Sequence, residues 1–168
     1  MTELERVVLV DQTGQAVGSM DKTRAHTAPG TRHLAFSVVV KNTRGQMLFQ
    51  RRHPEKQTFG DTWGNACCSH PRPGEGIITA ARRRVREELG VQLIDPREIG
   101  RFVYEATDES TGMVESELDV VVSGVISGKL EPNEDQVAEV RWMSRDEFAG
   151  QNLQMAPWLP GVLGVVGW

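Results

Sequence analysis

The chain has 168 residues, 39% of them hydrophobic, and a formal net charge of −4 at neutral pH. That is enough apolar material for one domain with a real core, here taken as residues 1–168. It contains no apolar run of the ~18 residues that a membrane helix needs, and its negative charge argues against a broad nucleic-acid surface. The start, Met1-Thr2-Glu3-Leu4-Glu5-Arg6, lacks the basic region and apolar run of an export signal. The only cysteines are the neighbours Cys67 and Cys68, which form no disulfide framework and fit a reducing, cytoplasmic setting.

In chain order, short β-branched and apolar runs at Val7 to Val10, Leu34 to Val40, Gln46 to Phe49, Ile99 to Tyr104 and Val120 to Ile126 predict strands. The second and third read as a hairpin turned by Asn42-Thr43-Arg44-Gly45. From Gly76 to Leu89, Ile78, Ala81, Val85 and Leu89 recur at helical spacing, and Gly90 stands where a helix C-cap glycine would. Ser144-Arg145-Asp146-Glu147 has the capping-box pattern of a second, shorter helix. The fold class expected from this mixture is α/β.

Three of the four histidines, His26, His33 and His70, lie in polar or turn-like contexts, while His53 reads as a loop residue. Glu115 and Glu117 share one face of an expected strand. Two carboxylates there repel unless a cation such as Zn²⁺, Mn²⁺ or Mg²⁺ lies between them, although a solvated strand face, with Asp119 on the same parity, explains them equally well. Asn65-Ala66-Cys67-Cys68-Ser69-His70-Pro71 sets thiols beside an imidazole just before the main helix. Positive charge there would activate a thiol, and two inert buried cysteines are the alternative. The helix carries Arg82, Arg83, Arg84 and Arg86. Ion pairs with Glu87 and Glu88 account for that pattern, as does diphosphate binding by Arg84 with Lys22, Arg52 and Lys56.

From Ser69, the run Ser-x5-Glu75-x7-Arg83-Arg84-Val85-x-Glu87-Glu88-x-Gly90-Val91 resembles a degenerate Nudix box. Ser69 replaces its first glycine and Arg84 one of its metal-binding glutamates, which speaks against the usual Nudix hydrolysis. Together with the Asn65-Ala66-Cys67-Cys68-Ser69-His70-Pro71 run, Arg32-His33-Leu34-Ala35-Phe36-Ser37, Tyr104-Glu105-Ala106-Thr107-Asp108 and Val114-Glu115-Ser116-Glu117, the chain resembles the type 1 isopentenyl-diphosphate Δ-isomerases from about residue 5 to Trp158. The resemblance implies a Nudix-type α/β/α sandwich with a mixed sheet and interconversion of isopentenyl and dimethylallyl diphosphate. It implies Cys68 and Glu117 as catalytic groups with Tyr104 beside the glutamate, and Trp158 near the reacting carbons. His26, His33, His70, Glu115 and Glu117 match its metal ligands, and Glu88 the residue that helps hold a Mg²⁺ bound to the diphosphate. Lys22, Arg52, Lys56, Ser69 and Arg84 match its diphosphate contacts.

The cofactors implied are thus a divalent metal (Mn²⁺, Zn²⁺ or Mg²⁺) in the histidine–glutamate site and a substrate-bound Mg²⁺. The partner implied is a small diphosphate, with no nucleic acid or membrane, for a monomer or weak homodimer. Gly64 stands where a hydroxyl residue is expected, and the tail after Trp158 is short, apolar and rich in glycine. A Nudix hydrolase of a nucleoside diphosphate derivative and a phosphate-binding module without turnover are the competing readings.

Overall fold

A computed structural model describes residues 5–168, so Met1 to Leu4 of the start discussed above lie outside the described residues. The elements in order are β1 (Arg6–Val10), β2 (Ala16–Asp21), α1 (Lys22–His26), β3 (His33–Val40), β4 (Met47–Arg52), β5 (Trp63–Asn65) and β6 (Cys67–Ser69). There follow α2 (Ile77–Leu89), β7 (Gln92–Thr107), β8 (Val114–Ser127), β9 (Val137–Met143), α3 (Arg145–Ala149) and α4 (Leu159–Val166). One sheet runs β2-β1-β3-β8-β7 with β6 also pairing β3, and a smaller one runs β5-β4-β9. Only the β3–β8 pair is parallel among the ladders described, so the larger sheet is mixed.

Strand alternation divides the interior into two cores. Phe36 and Val38 of β3, Leu48 of β4 and Val122 of β8 pack with Ala81, Val85 and Leu89 of α2. Their neighbours in sequence, Val39, Met47, Phe49 and Val121, face the opposite way and pack with Leu159 and Val162 of α4. Helices thus cover both sides of the strands, an α/β/α arrangement. Among the described residues no helix is long and apolar enough to cross a membrane.

Two local expectations hold in detail. Gly90 closes α2 at φ 69°, and Ser144 and Glu147 exchange both capping-box hydrogen bonds at the start of α3. The expected hairpin is corrected. Asn42 Oδ1 accepts from the Arg44 and Gln46 amides and Gly45 takes φ 77°, yet among the described residues the two strands form no ladder and pairing stops at the isolated Lys41–Met47 bridge. The edges of β3 are taken by β8 on one side and by β1 and β6 on the other, so β4 pairs instead with β5 and β9.

The glycine-rich tail forms α4, which had no counterpart among the expected helices. A glycine on each side lets it press on β7: a Cβ on Gly100 of β7 would lie 2.6 Å from Val165 of α4, and one on Gly161 of α4 would penetrate the Phe102 ring of β7. Gly161→Ala gains ~1 kcal/mol of helix propensity but costs about 1–3 kcal/mol in overpacking. The expected result is a thermal midpoint lower by a few degrees. An unchanged or higher midpoint would mean that α4 does not dock this tightly.

Candidate active site

Glu117 lies at the centre of three adjacent strands. In the ladders it stands directly opposite His33 of β3 and Tyr104 of β7, and such partners project to the same side of a sheet. Two further imidazoles arrive from outside these strands. Asp21 caps α1 by accepting from the Arg24 amide at 3.0 Å, and His26 ends that helix. His70 follows directly on β6.

The three Nε2 atoms converge on Glu117 Oε1, at 3.8 Å for His26, 3.2 Å for His33 and 2.8 Å for His70. These donor atoms all lie within 4.8 Å of one another. Nδ1 of His26 meets the Lys22 carbonyl and Nδ1 of His33 the Thr31 carbonyl, each at 2.7 Å. A carbonyl only accepts, so each Nδ1 carries the hydrogen and in the neutral ring each Nε2 presents a lone pair inward. Three inward nitrogens and a carboxylate, with two of the rings held by hydrogen bonds behind them and His70 Nδ1 buried without a partner, fit a divalent cation.

Protons compete with a cation for these atoms. Burial holds His70 down to about 4. For His26, burial would lower the pKa, but contact with Glu117 outweighs it and raises it. Burial would also raise Glu117, yet His70 and hydrogen bonding to the three rings hold it well below the usual carboxylate range. An unfolded chain binds a proton at an ordinary histidine near 6.5, which folded His70 refuses until about 4. The stabilisation His70 gives is therefore fully present above 6.5 and is lost as pH falls from 6.5 toward 4. Urea unfolding of chelator-treated protein at pH 7 and 5 should show a steeper acid loss for wild type than for His70→Gln. Equal losses would contradict a neutral, buried His70.

Glu115, expected as a fifth ligand, lies outside this four-residue cluster. Its Oε1 accepts from the Thr58 hydroxyl and its Oε2 meets the Tyr104 hydroxyl at 2.6 Å. Tyr104 also meets Glu117 Oε2 at 2.6 Å and so bridges both carboxylates. Burial, with the Glu117 charge, raises the pKa of Glu115. Asp119, equally compatible with a solvated face from sequence, is buried at 1% exposure, and burial pushes it well above the usual range.

Alternation along β6 separates the two cysteines. Cys67 is fully buried in the core against α2. Cys68 faces the pocket, opposite Ser37 in the β3 ladder. Its sulfur lies 3.0 Å from Asn65 Oδ1 and 3.2 Å from Ser37 Oγ, and Ser37 donates to Asp119 Oδ2 at 2.8 Å. Burial pushes the Cys68 thiol well above the usual cysteine range. Trp158, 3% exposed at the N-cap of α4, donates from Nε1 to Asn65 Oδ1 at 3.2 Å. Gly64 lies against this indole, where a Cβ would stand 3.5 Å from Nε1.

Cys68, Tyr104, Glu117 and Trp158 line a solvent-open pocket that Lys22, Arg52, Lys56, Ser69 and Arg84 also line. His26, His70 and Glu115 reach it as well, whereas His33 and Glu88 are not among its lining residues. Arg52 donates to the carbonyls of Thr58 at 2.9 Å and Phe59 at 3.2 Å, and its guanidinium lies 5.0 Å from the Trp158 ring centre. Buried Glu88 accepts from Arg84 and from Gln50 at 3.1 Å, with Lys56 3.7 Å away. Burial would raise its pKa, but Arg84 and Lys56 hold it low. Arg83 turns elsewhere and clamps Glu75 with two 2.8 Å bonds. The residues that sequence reasoning missed are Ser37, Thr58 and Asn65, whose neutral polar side chains carry no sequence signal of the partners they reach.

The NUDIX domain family profile matches residues 31–163. The isopentenyl-diphosphate Delta-isomerase of Nocardia farcinica is 41% identical over 163 residues, covering 95% of this chain and 93% of that protein. That of Halorhodospira halophila is 49% identical over 122 residues, 72% of this chain and 69% of that protein. The crystal structure of DR0079 from Deinococcus radiodurans superimposes with a TM-score of 0.74 at 22% identity, covering 97% of this chain and 98% of that one, a likeness of fold. The chain is a NUDIX-domain protein and belongs to the isopentenyl-diphosphate Delta-isomerase family.

Proposed function

We infer that this protein interconverts isopentenyl diphosphate and dimethylallyl diphosphate. The observation that carries the reading is one pocket lined by a thiol, a carboxylate, an indole and a group of cations, in a chain whose relatives bear the name of that isomerase.

Moving the double bond by one carbon adds a proton at the terminal end of the alkene and removes another from the carbon on the far side of the cationic centre so formed. A tertiary carbocation lies between, and water must not reach it. Cys68 and Glu117 are the proposed transfer groups. Because the reaction runs both ways, each is the acid in one direction and the base in the other. Burial keeps the Cys68 thiol protonated at neutral pH, while Glu117 is ionised, so one proton can be given and one taken. Tyr104, bonded to Glu117 Oε2, orients or passes the proton on that side. The Trp158 ring is proposed to stabilise the cation by roughly 0.5–2 kcal/mol.

Lys22, Arg52, Lys56, Ser69 and Arg84 are the proposed diphosphate contacts, with Glu88 toward its Mg²⁺. Fixed contacts at that end supply the binding energy that holds a very small apolar tail in register. A divalent cation in the His26, His33, His70 and Glu117 cluster would keep Glu117 ionised and oriented, and three imidazoles favour Zn²⁺ or Mn²⁺ over Mg²⁺. Both cysteines are free, which suits the proposed cytoplasmic location.

Protein supplied with Mg²⁺ and Mn²⁺ should convert isopentenyl diphosphate to dimethylallyl diphosphate, seen by proton NMR as two allylic methyl signals, with no phosphate released. Phosphate release without isomerisation would replace this reading with hydrolysis, and no change at all would replace it with ligand binding alone.

A further inference from the structure

The side chain of Asn65, at the end of β5, is fully buried and uses every hydrogen-bonding position it has. Its Nδ2 donates to the Val38 carbonyl at 2.9 Å and the Cys67 carbonyl at 3.0 Å. Both partners are pure acceptors, so the amide nitrogen must face them and the orientation of the amide is determined. Its Oδ1 is thereby turned to the pocket side, where it accepts from the Cys68 thiol at 3.0 Å and from Trp158 Nε1 at 3.2 Å.

We propose that Asn65 is a positioning residue, whose single carbonyl oxygen sets the Cys68 thiol and the Trp158 indole in a common frame around the reacting carbons. The proposal rests on the isomerase reading above. It follows from two demands of that chemistry. A proton must be delivered along one line to an alkene carbon, and an aromatic face must already be in place when the adjacent cation forms. The thiol sits on a strand and the indole at the start of a distant helix, and one amide oxygen joins them across 90 residues of sequence or more. Its other end grips the carbonyl of Cys67, the residue before the thiol, so the thiol is held through both its sulfur and its backbone.

Removing that oxygen should impair turnover more than binding, because the diphosphate contacts lie on other residues. For Asn65→Ala, kcat should fall about 100-fold, the scale of a misplaced reacting group. KM should stay within about threefold, since uniform binding is untouched. In protein labelled with ¹⁵N at the indole nitrogens, the Trp158 N–H resonance, assigned by its loss in Trp158→Phe, should move upfield as its acceptor disappears. Asn65→Asp keeps the shape and the acceptor oxygen, and its carboxyl, kept protonated by burial between two carbonyls, still donates to one of them. It should recover at least about tenfold of the kcat lost in Asn65→Ala, as expected when a transition-state contact is restored, and should keep the Trp158 resonance downfield. If Asp is as poor as Ala, the residue only supports the two carbonyls and the proposal is overturned. If Asn65→Ala does not fold, Asn65→Asp alone decides: kcat within about tenfold of wild type supports the proposal and a loss beyond about 100-fold at unchanged KM overturns it. Absence of isomerisation by wild-type protein in the same assay would instead overturn the isomerase reading itself.

Discussion

Cys68→Ala is expected to lower the rate of isomerisation by about 10²- to 10⁴-fold, the range lost with a positioned proton-transfer group, whereas Cys67→Ala keeps most of it. The two positions differ by one residue and by the face of β6 they occupy. Cys68 borders the pocket beside Ser37 and Asn65. Cys67 packs among Phe36, Ala81 and Val85 in the core against α2. Removing the Cys67 sulfur should cost about 1 kcal/mol of stability through a small cavity, without touching the chemistry. KM for Cys68→Ala should change little, because the thiol is remote in function from the diphosphate contacts. Parallel initial-rate measurements on both variants check this. Equal losses in the two would contradict the assignment of the thiol.

Glu117→Gln should be at least as damaging, for two separable reasons. The amide cannot accept the proton, which again removes about 10²- to 10⁴-fold of rate. It also replaces the only anionic donor among the four atoms of the histidine cluster. Affinity for a divalent cation should therefore fall by at least the 10- to 100-fold typical of losing a mere supporting contact. Competition with a chromophoric chelator, using Mn²⁺ and Zn²⁺ on substrate-free protein, reads this without any turnover. Unchanged affinity in Glu117→Gln would show that Glu117 is not a ligand of the bound cation.

Local sequence made some elements plain. The spacing from Ile78 to Leu89 with Gly90 behind it announces α2, and Ser144 with Glu147 announces α3, because caps and helical periodicity are properties of a few adjacent residues. The polar start of β8 was legible only as a parity. That parity placed Glu115 and Glu117 on one face correctly, but what each carboxylate meets is decided by β3, β7 and the loop bearing Thr58. His33 and Glu117 are 84 residues apart, and their meeting depends on a parallel pairing that no local pattern encodes. The same limit explains the hairpin. Its turn was readable from Asn42 and Gly45, while the divergence of β3 and β4 depends on which remote strands claim their edges. The tail hid α4 because a glycine that disfavours a helix in isolation, Gly161, is what allows this one to lie against Phe102 of β7. Most residues suggested by family resemblance line one pocket, His33 and Glu88 excepted, while Asn65 stood in the Asn65–Pro71 run with no local sign that it reaches Val38 and Trp158.

A thiol and a carboxylate on one pocket are proposed to move the double bond by adding a solvent-derived proton and removing another. Running the reaction in D₂O and locating the label by NMR tests it most directly. Dimethylallyl diphosphate should carry deuterium in a methyl group and, as the reaction reverses, at the vinyl C–H position, with the diphosphate intact. Product formed without deuterium from solvent, or phosphate released in place of product, would contradict it.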